Sequence, residues 1–351
     1  MSASASQLSR IVRRMRGQKV GVVGDLMLDR YLWGTATRLS PEAAVPVVDF
    51  AEESECLGGA GNVAANLAEL GAQVSCFGVI GDDQAGGAVI QCFRGMGLDE
   101  KHALVDRSRV TTVKTRIIAR HQQVVRVDRE RRAPLQKKIE ETLVRQVLKA
   151  LDTLEALVVS DYDKGVVTDS LAERVLTACH QRGVPALVKP KTSRLFSYRG
   201  AAVIVCNAKE AGFFVTRTLS DEGSIEEAGR AMLAHFGCAA VVITLGEKGL
   251  SVIEESSPGQ FHVPATSFEI TYARLGLPGV DRGATGRQVF DVTGAGDTVL
   301  STLALAAAAG APLAHAALLA NVAAGVVVGK LGTATVSPKE LLAAIRDLAA
   351  P

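Results

Sequence analysis

The stretch "VFDVTGAGDTVLSTLALAAAAG", residues 289–310, sets two glycines and two acids beside a long run of small apolar residues. Its start is apolar and β-branched, its middle is a glycine turn, and from Asp297 onward it meets no breaker until Gly310. That order reads as strand, turn and helix, with Asp297 on the first helical turn or at its cap. Glycines at 294 and 296 leave backbone N–H groups unobstructed. A helix N-terminus carries about half a unit of positive charge, so a phosphate fits there. An acid beside an anion site opposes simple binding but suits a base that takes a proton from an attacking hydroxyl. The competing reading is an ordinary N-cap, with Asp297 or Asp291 satisfying the free N–H groups. Four residues do not separate the two.

Downstream, residues 298–329 contain no Asp, Glu, Lys or Arg, which is long enough to suggest a membrane span. The run is broken at "GAP", residues 310–312, and is mostly alanine with His315 and Asn321 inside. Two buried helices are the better reading. The N-terminus lacks the apolar core of a signal peptide. Six scattered cysteines without a C-x-x-C pair read as small buried hydrophobes in a reducing compartment, so a cytoplasmic protein is expected. Lys+Arg 39 against Asp+Glu 37 leaves +2, a balance that advertises neither nucleic acid nor an anionic membrane as partner. The basic stretches "RIVRRMR" and "RVDRERR" accordingly read as solvated faces. The six histidines have no ligand spacing and receive no metal role.

Upstream, the strand and helix order recurs. "KVGVVGDLMLD" (residues 19–29) is a strand reaching an acidic loop, and "AGNVAANLAELG" (60–71) a helix with Val63, Leu67 and Leu70 on one face. "QVSCFGVIG", "ALVVSDY", "PALVKPK", "AAVIVCN" and "AAVVITLG" are further strands with helical segments between most of them. Such alternation predicts an α/β fold, an open and mostly parallel sheet with helices on both faces and ligands at the carboxyl ends of the strands. Segments at about 30–55 and 109–130 alternate instead at period 2 and predict antiparallel strands outside the main sheet, a small β lid. With no low-complexity linker or repeat, residues 1–351 are expected to form one domain including that lid. There is no G-x-x-x-x-G-K-[ST], and "VGDLML" lacks dinucleotide-site spacing, so phosphate binding rests on the late glycine turn.

Five motifs in order carry a resemblance over almost the whole chain. "DVTGAGD" (Asp291, Thr293, Gly294, Ala295, Gly296, Asp297), "GGAGN" (Gly58, Gly59, Gly61, Asn62), "VGDLMLD" (Asp29), "NAKE" (Asn207, Lys209, Glu210) and "TLGEKG" (Thr244, Gly246, Gly249) resemble those of the ribokinase-like, or PfkB, carbohydrate kinases. The resemblance implies a three-layer α/β/α kinase with ATP and Mg²⁺. It implies Asp297 as the base and Gly294–Gly296 as the phosphate cradle. Asn207 and Glu210 would act around Mg²⁺ indirectly, through water. Thr244, Gly246 and Gly249 would lie on the nucleotide side, and Asp29, Gly58, Gly59 and Asn62 around the sugar. Lys191 and Asn321 are placed near the nucleotide, though a snorkelling lysine and a hydrogen-bonded buried Asn are comparable readings. Asp291 and Thr293 would hold a monovalent cation, K⁺, as in some relatives.

Within that family, "GDLMLDRYLWG", "LSPEAAVPVV", "GGAGNVAANLAELGA" and "SDYDKGVVT" are most similar to D-glycero-D-manno-heptose 7-phosphate kinases of the monofunctional kind, which act at the anomeric hydroxyl on the way to ADP-heptose of lipopolysaccharide core. A phosphorylated substrate needs a cationic grip, for which Arg116, Arg126 and Lys164 are the candidates, against the bland reading that lid arginines only solvate a sheet face. Relatives that pair their lids imply a homodimer through residues 31–38 and 109–128.

Two features depart from the family pattern. Lys189 in "VKPK" stands where an acid is expected, and could either pair with phosphate or disturb Mg²⁺ placement. Residues 266–286 form a longer link than expected and read as a surface loop. Rival readings are a kinase of another sugar, and a non-catalytic nucleotide- or sugar-binding regulator suggested by Lys189.

Overall fold

The computed structural model describes residues 4–119, 122–191, 198–265, 292–330 and 332–348. The unusual link at 266–286 and Asp291 lie outside the described residues.

Short apolar runs form the strands of a nine-stranded sheet. In chain order they are β1 (Lys19–Gly24), β4 (Gln73–Gly81), β5 (Ala103–Asp106), β8 (Ala156–Ser160), β9 (Ala186–Lys189), β10 (Val203–Asn207), β11 (Ala240–Thr244), β12 (Leu250–Glu254) and β13 (Gln260–Val263). Their spatial order is β13-β12-β11-β10-β9-β8-β1-β4-β5. Only β12 and β13 run antiparallel to their neighbours. Both faces are covered, which is why these strands read as continuous apolar runs. Alternate residues divide between two cores: Val20, Val22 and Val158 join one, and Val23, Leu157 and Val159 the other.

One core is roofed by α1 (Ala5–Met15), α2 (Ala60–Glu69), α3 (Gln84–Gly95), α8 (Ala295–Ala308), α9 (Leu313–Val327) and α10 (Pro338–Leu348). The other takes α4 (Lys137–Ala150), α5 (Asp169–Arg182) and α7 (Glu222–Phe236), with the short α6 (Ala208–Phe214) at its edge. Local chemistry sets several ends. Thr168 caps α5 by accepting the Leu171 N–H, and Gly183 closes it in the left-handed region at φ 67°. The alanine-rich run is two helices, α8 and α9, packed against each other, and no helix among the described residues is long and apolar enough to cross a membrane. Small side chains let α8 be buried along residues 297–306. The basic "RIVRRMR" is more than a solvated face: α1 buries Leu8, Ile11, Val12 and Met15, and Arg14 donates to the Ala309 carbonyl at the end of α8.

The lid is a four-stranded sheet, β3-β2-β6-β7, built from β2 (Leu26–Leu39), β3 (Pro46–Gly59), β6 (Thr112–Ala119) and β7 (Gln122–Arg129). β2/β3 and β6/β7 are antiparallel pairs, while the central β2/β6 contact is parallel. The chain leaves the main sheet in the same direction at both Leu26 and Thr112, so these two strands must run alike. Paired residues share a face, which puts Tyr31, Arg116 and Arg126 in one row across the lid.

Candidate active site

Asp297 is the centre of the site. It lies on the first turn of α8, whose N-cap is Gly294 and which has no side-chain cap. Its backbone N–H closes on the Gly294 carbonyl at 2.9 Å, while its carboxylate turns to other elements, so the capping reading is set aside for Asp297. Oδ1 accepts the Tyr162 hydroxyl at 2.6 Å and Lys189 Nζ at 2.7 Å, and Oδ2 accepts Asn62 Nδ2 at 2.8 Å. A carboxylate offers about four lone-pair positions. Three donors orient this one and leave a position for an incoming hydroxyl.

Each donor is itself held. Asn62 Oδ1 takes Asn66 Nδ2 at 3.2 Å, and Thr298 Oγ1 donates to Asn66 Oδ1 at 2.8 Å, a buried network binding α2 to α8. Tyr162 sits in a turn gathered by Asp25, whose carboxylate accepts the backbone N–H groups of Tyr162, Lys164 and Val166 at 2.8, 3.2 and 3.0 Å. Burial pushes the Asp25 carboxyl above its usual range, with those N–H groups and Arg109 pulling the other way. Burial and the Asp297 charge push the Tyr162 phenol far up, so it remains a neutral donor. For Lys189, burial works against the ammonium, but the Asp297 charge and the Tyr162 oxygen outweigh it and hold the group charged.

The glycine turn at the head of α8 is tight by construction. Gly294 has φ 85°, and a Cβ there would meet Thr333 Cγ2 at 3.1 Å and Asn62 Nδ2 at 3.2 Å. Thr293 lies in the turn before Gly294, beside Ala295 and Gly296 of the first helical turn.

In the lid, Asp29 and Arg116 face each other on neighbouring strands with oxygen and nitrogen 2.9 Å apart, both side chains 7% exposed. Thr333 bridges them to Tyr31, bonding the Tyr31 hydroxyl at 2.7 Å and Asp29 Oδ2 at 3.4 Å. Burial raises the Asp29 carboxyl, and Arg116 draws it back. Gly58 is needed because a Cβ would stand 2.9 Å from the Asp29 carboxyl carbon, and Gly59 turns into α2 at φ 58°. A cavity of about 350 Å³ opens here, lined by residues including Asn62, Cys56, Lys330 and Thr333.

The other cationic candidates lie apart from this cluster. Lys164 pairs with Glu130 at 2.7 Å and is buried. Arg126 stands further out on the lid, 48% exposed and paired with Asp128 on its own strand.

At the ends of β10 and β11, Asn207 and Glu210 form a capping box on α6, and Lys191 Nζ reaches Glu210 at 3.1 Å. Lys191 also lies 5.5 Å from the Tyr162 ring centre, which links this group to Asp297. Thr244 is the register partner of Asn207 and donates to the Cys206 carbonyl at 3.4 Å. Gly246 and Gly249 bracket the tight turn that follows, Lys209 is exposed on α6, and Asn321 donates to the Pro264 carbonyl at 2.8 Å. Among the described residues no group of three or more acids, histidines or cysteines could hold a metal by itself. One half-buried carboxylate, Glu210, fits Mg²⁺ that keeps its waters and takes its remaining ligands from phosphate.

The profile of the pfkB family carbohydrate kinases matches residues 18–271 and 282–340. The chain belongs to this family. As a pfkB-family member it is a sugar kinase, a class that uses a nucleotide triphosphate. It is 42% identical over 335 residues to the bifunctional protein HldE of Trichlorobacter lovleyi, covering 95% of this chain and 64% of that protein. To HldE of Geobacter metallireducens it is 44% identical over 321 residues, covering 92% and 61%. The chain thus spans less than two thirds of these relatives. The fold is shared with Escherichia coli phosphofructokinase-2 in complex with substrates and products, at TM-score 0.74 and 17% identity, covering 95% of this chain and 100% of that one. Arabidopsis thaliana ribokinase complexed with ribose and ATP gives TM-score 0.70 and 17% identity, covering 94% and 99%.

Sequence reasoning missed Tyr162 and Thr333. Tyr162 was visible as the aromatic residue after the strand-end acid of "SDYDKG", but Thr333 carries no local signal.

Proposed function

We propose that this chain transfers the γ-phosphoryl group of ATP to the anomeric hydroxyl of D-glycero-D-manno-heptose 7-phosphate, giving the 1,7-bisphosphate. One observation carries the reading: a buried carboxylate on the first turn of a helix without a side-chain cap is oriented by three donors, one of which, Asn62, also lines the cavity. The heptose assignment is supported by the stretches "GDLMLDRYLWG", "GGAGNVAANLAELGA" and "SDYDKGVVT", which supply Asp29, Asn62 and Tyr162 to these surroundings.

Asp297 accepts the proton of the anomeric hydroxyl as its oxygen bonds to the γ-phosphorus, and the bond from that phosphorus to the bridging oxygen breaks toward ADP. A positioned base of this kind contributes about 10²- to 10⁴-fold. The first turn of α8 faces the developing charge. Asp29 and Thr333 take sugar hydroxyls, and Arg126, whose acid partner is on its own strand at the surface, receives the 7-phosphate. Glu210 and Asn207 would hold Mg²⁺ through water, and the ion would neutralise phosphate charge when bound. Thr293 and Asp291 are the proposed K⁺ site; an E. coli phosphofructokinase-2 structure in complex with potassium is among the fold relatives. The lid pairs with that of a second copy through its outer face, where Leu39, Phe50 and Val127 are 68%, 64% and 55% exposed.

The test is one coupled ADP-release assay across sugars and sugar phosphates. Turnover with the heptose 7-phosphate and a product phosphorylated at both C1 and C7 is expected. Turnover only with another sugar would overturn the substrate assignment.

A further inference from the structure

Lys189 ends β9 at the middle of the carboxyl edge of the main sheet, between the β8 turn carrying Tyr162 and the end of β10. Its ammonium is 2.7 Å from Asp297 Oδ1, 2.8 Å from the Tyr162 hydroxyl and 4.6 Å from that ring's centre. It also lies over the cradle: a Cβ built on Gly296 would be 3.8 Å from Nζ. The side chain is 16% exposed, so it is held by protein yet open to the site.

An ammonium has three donors. Asp297 and Tyr162 take two, and the third is available on the side of the cradle. The reaction must bring an anionic phosphoryl group toward a carboxylate, and a fixed cation between them removes much of that repulsion. Oδ1 is already shared by Lys189 and Tyr162, so Lys189 can turn one donor to the phosphoryl group while Tyr162 continues to orient the base.

We propose that Lys189 is a further catalytic residue, whose ammonium bridges the Asp297 carboxylate and an oxygen of the transferring phosphoryl group. The proposal rests on the kinase reading above. Lys189 remains protonated throughout: the sugar oxygen to phosphorus bond forms, the phosphorus to bridging oxygen bond breaks with its electrons to ADP, and the sugar proton goes to Asp297. A neutral Lys189 would compete with that base, whereas the ammonium leaves it as the sole acceptor.

The experiment compares wild type with Lys189→Met, Lys189→Gln and Lys189→Arg, using ATP and D-glycero-D-manno-heptose 7-phosphate. Wild-type turnover is established first; its absence on every sugar tested counts against the kinase reading and not against Lys189 alone. With an active wild type, Met and Gln are expected to lower kcat by about 100-fold or more with both KM values within about threefold, and Arg to recover at least a tenth of the loss. Affinity for ADP with aluminium fluoride and the sugar, a mimic of the transferring group, is expected to fall by about the same factor as kcat, while affinity for ADP alone is unchanged. Melting curves verify that each variant is folded, and Gln serves if Met is not. Wild-type-like kcat in a folded Met or Gln variant, or equal losses for ADP alone and for the mimic, would overturn the proposal.

Discussion

The main sheet and the lid supply the two halves of the site in opposite ways. In the main sheet the working residues stand at strand ends: Lys189 closes β9, Asn207 closes β10 and Thr244 closes β11. The strands behind them are buried on both faces, so each end is fixed by packing that owes nothing to function. In the lid, Asp29, Tyr31 and Arg116 stand within strands on one shared face, while the other face carries exposed apolar side chains such as Val125 and Val127. The rigid half holds the proposed base and phosphate cradle, and the half with an uncovered face the proposed sugar contacts. Chemistry that needs sub-ångström placement lies on the element with the least freedom.

The largest effect expected on that contrast is at the rigid half. Asp297→Asn should cut kcat by about 10³-fold or more while the protein still folds and binds ATP, as read by single-turnover kinetics and calorimetry. Activity within tenfold of wild type would remove Asp297 as the base. Next comes the buried pair of the lid. Arg116→Met leaves Asp29 without its cation, and urea unfolding should register a loss of about 3–5 kcal/mol together with a raised KM for the sugar. A neutral result in both would mean that the pair is neither structural nor part of the sugar site.

A smaller effect is expected on the outer face. Phe50→Glu combined with Val125→Glu should shift sedimentation from dimer toward monomer at micromolar concentration, and an unchanged dimer would place the interface elsewhere. The mildest test uses Cys56, a half-buried thiol on the cavity wall that burial and the nearby Asp29 charge push up to about 11. The thiolate is the reactive form, so iodoacetamide labelling of Cys56 should be slow at pH 8 and rise toward pH 11. Bound heptose 7-phosphate should slow it further; equal rates with and without sugar would separate the cavity from the sugar site.

Much of the fold was legible because burial leaves a periodic trace. The alternation of strands and helices, the break at residues 310–312 and the period-2 lid segments all correspond to elements found. The parallel contact between β2 and β6 left no such trace, since pairing direction depends on where the chain exits the main sheet. In the site, the glycine turn marked Asp297, and the charge reversal at Lys189 was visible as a departure. Their meeting was not. Asn62 and Asp297 are 235 residues apart, and Lys189 and Asp297 108 apart, so no window of sequence contains either contact.

By itself, the sequence determined the layered α/β architecture, the glycine turn and the presence of an acid at the head of α8, because apolar period and glycine spacing act locally. Only the tertiary structure decided what that acid faces. Two strand ends, those of β8 and β9, and two helix starts, those of α2 and α8, converge on one carboxylate, and there the side chain that looked like a misplaced lysine becomes its partner.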